Sequence, residues 1–154
     1  SSTTAAVHTS SSDTTRTVVS ESWTERDTGR SNANKYSLER FNFDGNEKIV
    51  VVDGVNDPTV FNSSLSATDV TASAVEGASI VVSFREHMFY AGMSSTPQEV
   101  VFSQPFDEDA FNSGSGSGSF KVDDTVVGLK VFRDNLFIFC ENRIFKLTIT
   151  WKKN

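Results

Sequence analysis

Thr125-Val126-Val127-Gly128-Leu129-Lys130-Val131-Phe132, Arg133-Asp134-Asn135, Leu136-Phe137-Ile138-Phe139-Cys140, Glu141-Asn142-Arg143, Ile144-Phe145-Lys146-Leu147-Thr148-Ile149-Thr150-Trp151: this run decides the fold. Its apolar segments are rich in Val, Ile and Phe, which suit a pleated, half-buried surface. The polar breaks between them are short enough for tight turns. The run therefore predicts three consecutive antiparallel strands.

The same grammar recurs upstream. Tyr36-Ser37-Leu38-Glu39-Arg40-Phe41-Asn42-Phe43 alternates apolar and polar, the period-2 mark of a half-buried strand. Asp44-Gly45-Asn46 turns the chain into Lys48-Ile49-Val50-Val51-Val52, and Thr59-Val60-Phe61-Asn62 follows. Ala78-Ser79-Ile80-Val81-Val82-Ser83-Phe84, a turn at Arg85-Glu86, His87-Met88-Phe89-Tyr90-Ala91 and Glu99-Val100-Val101-Phe102-Ser103 form a second set. Residues 63–77 are small and polar and read as a connection. Residues 104–112 are an acidic excursion with room for one helical turn. The Ser/Gly alternation at 113–119 reads as a flexible loop.

Three central apolar strands, starting at Ile49, Met88 and Leu136, are spaced by about 40 and then about 47 residues. Such a period with several strands per unit predicts propeller-like antiparallel blades at about 35–77, 78–112 and 120–151. A β-sandwich is the alternative. Three blades do not close a ring, and there is no starting Met, so a piece of a longer chain or an array completed by other chains is expected. Residues 1–34 read as an extended or flexible arm. About half of residues 1–30 carry a hydroxyl, and few are large and apolar. Within the arm, alternation over residues 17–23 suggests one strand.

Composition narrows the function. The chain has 154 residues and a net charge of −6, with no basic cluster beyond Lys152-Lys153, which disfavours a nucleic-acid site. No apolar run reaches the roughly 18 residues of a membrane span. The single Cys140 lies in an apolar strand and reads as a small buried hydrophobe rather than a nucleophile. His87, opening an apolar strand, reads as a core or edge residue. The carboxylates Asp107/Glu108/Asp109 and Asp123/Asp124 flank the Ser/Gly stretch, a poor platform for hydrolysis, and read as solvated loops. Asp44-Gly45-Asn46 and Asp53-Gly54-Val55-Asn56-Asp57 read as turns, because the calcium-loop spacing is absent. No phosphate-binding loop or nucleophile elbow is present. The expectation is a non-enzymatic protein with no cofactor, no metal and no catalytic residue. Its interface candidates are Phe106, Phe111 and Phe120, read as loop residues, with Val18 and Trp23 in the arm.

The phrases Val52-Asp53-Gly54-Val55-Asn56-Asp57-Pro58, His87-Met88-Phe89-Tyr90-Ala91-Gly92, Val101-Phe102-Ser103-Gln104-Pro105 and Gly128-Leu129-Lys130-Val131-Phe132-Arg133-Asp134-Asn135-Leu136 resemble tailed-bacteriophage virion proteins with propeller-type repeats. The tail nozzle or tail-tube-end type is the nearest kind. The likeness covers about residues 35–147 and leaves out the Ser/Thr-rich arm. It implies a structural protein of the tail or head–tail junction, located in the virion. Its partners would be copies of itself and other virion proteins, with a host surface as a further one. The alternative is a receptor- or glycan-binding module without catalysis. Trp23 and Trp151 weaken that alternative by lying outside the repeats.

Overall fold

The computed structural model describes residues 23–30 and 35–148. Val18, and all but Trp23 of the strand expected over 17–23, lie outside the described residues. Trp23 itself is in no strand, and 70% of its surface is exposed.

The protein is mainly β, and its described residues form three antiparallel sheets, none of them closed. The first sheet is β1 (Ser37–Asn42), β2 (Glu47–Val52), β3 (Thr59–Phe61) and β4 (Ala67–Asp69). The second is β5 (Ile80–Phe84), β6 (His87–Ala91), β7 (Glu99–Phe102) and β8 (Gly118–Lys121). The third is β9 (Val126–Phe132), β10 (Asn135–Cys140) and β11 (Ile144–Leu147). Within each sheet every strand pairs only with its neighbours in sequence.

The sheets stack in chain order. The first strand β1 lies against β5 and β5 against β9, with β2 reaching β5 and β6 reaching β9. One core fills the space between the first two sheets, joining Phe41, Val50, Val52 and Val60 to Val81, Met88, Tyr90 and Val101. A second core joins Val82, Phe84, Phe89, Ala91 and Val100 to Val126, Leu136, Ile138 and Cys140. The second sheet is thus covered on both faces. That accounts for the unbroken apolar run Met88-Phe89-Tyr90-Ala91, since alternation is lost when neither face meets water.

The β5–β6 and β9–β10 hairpins turn on Arg85-Glu86 and Arg133-Asp134, all four in left-handed backbone. Two consecutive left-handed residues are the type I′ geometry that matches strand twist, although Asn and Gly suit it better than Arg or Glu.

Three local expectations need correction. Residues 63–77 contain β4, a wholly exposed edge strand that among the described residues pairs only with β3. The only helical turn among the described residues is a 3-10 turn at Ser113–Ser115, just after the acidic excursion. The Ser/Gly stretch becomes β8 from Gly118 onward by pairing with β7, where Gly118 passes the Phe102 ring so closely that an added Cβ would lie 2.9 Å from it. Phe120 therefore lies on a strand of the second sheet, not in a loop.

Candidate functional site

The sequence-predicted residues separate by what they touch. Phe111 tucks against the first core, its ring 5.9 Å from that of Tyr90. Phe120 packs against the second core, paired in register with Val100. Phe106 stays exposed in left-handed backbone, and its N–H donates to Glu86 O at 2.7 Å.

The acidic excursion is anchored rather than solvated throughout. Glu108 is buried and pairs with Lys48 of β2, so this loop ties the second sheet to the first. The Tyr90 hydroxyl donates to Glu108 O at 3.2 Å. Burial first, then the charges of Glu108 and Asp109, push the Tyr90 phenol far up, which keeps it a donor. Asp109 is also held above its ordinary value. A hydrogen bond with Asp107 is the main cause, followed by burial and the charges of Asp107 and Glu108, while Lys48 pulls the other way.

A raised folded value means that the folded protein takes up this proton more readily than the unfolded chain does. The cost of ionised Asp109 is present in full above that value and is relieved as pH falls through it. Asp109→Asn should therefore raise the urea midpoint at pH 7. The gain should shrink as pH falls toward the ordinary carboxylate range of about 4. A difference between variant and parent that stays constant with pH would contradict this.

Asp123 and Asp124 hold the β10–β11 turn. Asp124 accepts from Asn142 N at 2.8 Å and from Thr125 N at 2.9 Å, and Asp123 pairs with Arg143 at 2.8 Å. These hydrogen bonds, the Asn142 amide foremost, draw the Asp124 carboxyl below its usual range. Asp53 is buried and closes its turn by accepting from Val55 N at 3.0 Å and Asn56 N at 2.8 Å. Among the described residues no three His, Cys, Asp or Glu gather where they could hold a metal ion. Burial, then the charge of Asp124, pushes the Cys140 thiol up, the reverse of what activates a nucleophile. His87 Nδ1 lies 2.6 Å from Ser103 O, and its ring meets Phe102 edge-on at 5.7 Å.

What remains is surface, and its character is set at the two ends of the stack. In β10 the side chains of Leu136, Ile138 and Cys140 point into the second core, while Phe137 and Phe139 are left half-buried on the outer face. Phe132 and Ile144 join them there, 60% and 65% exposed, with the Phe132 and Phe137 rings 6.5 Å apart. Lys130 and Lys146 flank Phe137 in register. At the opposite end, Val50 and Val52 of β2 point inward. Ile49 and Val51 share the outer face with Leu38, which is exposed, and Phe61.

No known family model matches the chain. No curated protein matches it either. The two apolar end faces are what the structure itself offers. Sequence reading missed them because it treated the three central apolar strands alike. The signal was there: Leu136-Phe137-Ile138-Phe139 is apolar on both faces, like the doubly covered Met88-Phe89-Tyr90-Ala91, yet it belongs to a terminal unit.

Among the described residues no helix is long and apolar enough to cross a membrane.

Proposed function

We propose that the protein is a non-catalytic structural component of a symmetric assembly, of the kind that forms the tail or head–tail region of a bacteriophage virion. In this reading its sheets are consecutive blades of a propeller-like stack, continued by copies of the same chain. One observation carries it: the strands β2 and β10 of the two end sheets have the composition of strands covered on both faces, but among the described residues a sheet covers each of them on only one. The arrangement of first strand on first strand repeats from sheet to sheet, so the outer face of the third sheet is suited to the outer face of the first sheet of a second copy. That contact is head-to-tail, the kind that closes into a ring when the rotation allows. Exposed apolar patches of this sort mark association surfaces.

Sedimentation of the full chain over a range of concentrations tests the contact. Reversible association is expected, and Phe132→Asp, on an exposed position, should weaken it roughly thirtyfold or more, as loss of an interface anchor does. A parent protein that stays monomeric throughout would refute the stacking. A fixed copy number in purified particles, measured by quantitative mass spectrometry, tests the virion placement.

A further inference from the structure

The first two sheets have four strands and the third has three, so β11 has a free hydrogen-bonding edge among the described residues. Beyond that edge the second sheet presents a largely apolar groove of about 350 Å³, lined by His87, Phe89, Phe102, Ser119, Phe120 and Leu147. Phe102 stacks on Phe89 at 5.4 Å, so its floor is an ordered aromatic row. The groove lies where a fourth strand of the third sheet would cover β7 and β8. A strand added there would bond to the β11 main chain and bury alternate side chains on Phe102 and Phe120, the usual chemistry of strand addition.

We propose that this groove is a strand-docking site and that its occupant is residues 17–23 of a second copy. The inference rests on the stacking reading. Arg30 is where the two meet. Its guanidinium donates to Asp57 O at 3.0 Å and to Asp69 Oδ1 at 3.1 Å. Asp69 ends β4 and also accepts from the Thr59 hydroxyl at 2.6 Å. The chain leading out of the arm is thus pinned over β3 and β4, on the outer face of the first sheet. When that face meets the third sheet of another copy, first strand to first strand, β4 and Arg30 come to lie beside the free edge of β11.

Trp23 precedes Arg30 by few enough residues to extend along that edge at about 3.3 Å per residue. Within one chain the second sheet and both cores lie between Arg30 and this groove, two sheet spacings of about 10 Å each, whereas in the stack the groove lies directly beside the face that holds Arg30. The donated segment is Thr17-Val18-Val19-Ser20-Glu21-Ser22-Trp23. At a period of two, Val19 and Trp23 share a face, as strand docking into an apolar groove requires. Docking would also cover an open sheet edge that otherwise invites uncontrolled pairing.

Hydrogen exchange on the full chain, run beside sedimentation, tests this. Amides of residues 17–23, and those of Ile144 and Lys146, whose N–H groups face away from β10, should exchange about a hundredfold more slowly in associated protein than in dilute protein. Val19→Asp, on the arm, should remove most of that protection at Ile144 and Lys146, speeding their exchange roughly tenfold or more, while association persists. If associated protein shows no protection at 17–23, strand docking is overturned and stacking stands. If full protection is already present in dilute monomer, the segment docks within its own chain and the second copy is overturned as donor. If the parent never associates, the stacking reading falls and takes this one with it.

Discussion

Phe89→Ala is expected to cost about 3–5 kcal/mol, the range for truncating a buried aromatic side chain. Phe89 lies on β6 at the centre of the doubly covered sheet, with 2% of its surface exposed. Its ring contacts Phe84 at 5.9 Å and Phe102 at 5.4 Å. Side chains of two sheets pack around it, and one edge of the ring lines the groove beside β11. The control is Phe137→Ala, on the outer face of β10, which should cost far less in dilute protein because that face is covered by no other sheet. Urea unfolding of both variants decides the matter, and equal losses would mean that the second core is not where stability resides.

Asp53→Ala is expected to cost about 3 kcal/mol, from two or more charge-assisted hydrogen bonds at a buried site. The Asp53 carboxylate accepts from the N–H of Val55 and of Asn56 and from the Asn56 side-chain amide at 2.6 Å. The turn it closes is stitched to the next unit, since Gly54 N donates to Ala78 O at 2.9 Å and Gly77 N donates to Asn56 O at 3.2 Å. Losing the carboxylate therefore leaves backbone donors unpaired and loosens the passage from the first sheet to the second. Asp53→Asn should recover part of the loss, because its carbonyl oxygen still accepts. Thermal unfolding of the pair is the measurement, and an Ala variant within 1 kcal/mol of the parent would be inconsistent with a structural role.

Most strands were legible because each carries β-branched or aromatic residues between polar breaks, and the turn at Arg133-Asp134 falls where the sequence places it. β4 was not legible. Ala67-Thr68-Asp69 has no apolar pattern, and its strand state comes from pairing with β3. β8 was obscured for a related reason: its first residue, Gly118, is dictated by the bulk of Phe102 on the neighbouring strand, a tertiary cause that no local pattern encodes. Glu108 was misread as solvated because its partner Lys48 is distant in sequence and meets it only once the first two sheets stack. The acidic pair at Asp123 and Asp124 was correctly placed in a loop, but its service to the β10–β11 turn depends on Asn142 and Arg143 coming back to it.

Because every strand pairs with the one made just before or after it, sheet formation requires only short loop closures. Such topologies of local contacts fold quickly for all-β proteins. The slow step is then the meeting of sheets. During synthesis from the N-terminus the first two sheets can form and join before β9 to β11 emerge. Until they do, the aromatic side of the second sheet, with Phe84, Phe89 and Phe102, stands open to water. A chain truncated after about residue 122 would display two sheets whose hydrogen bonding is largely made but whose second core lacks its lid, the kind of intermediate that chaperones hold.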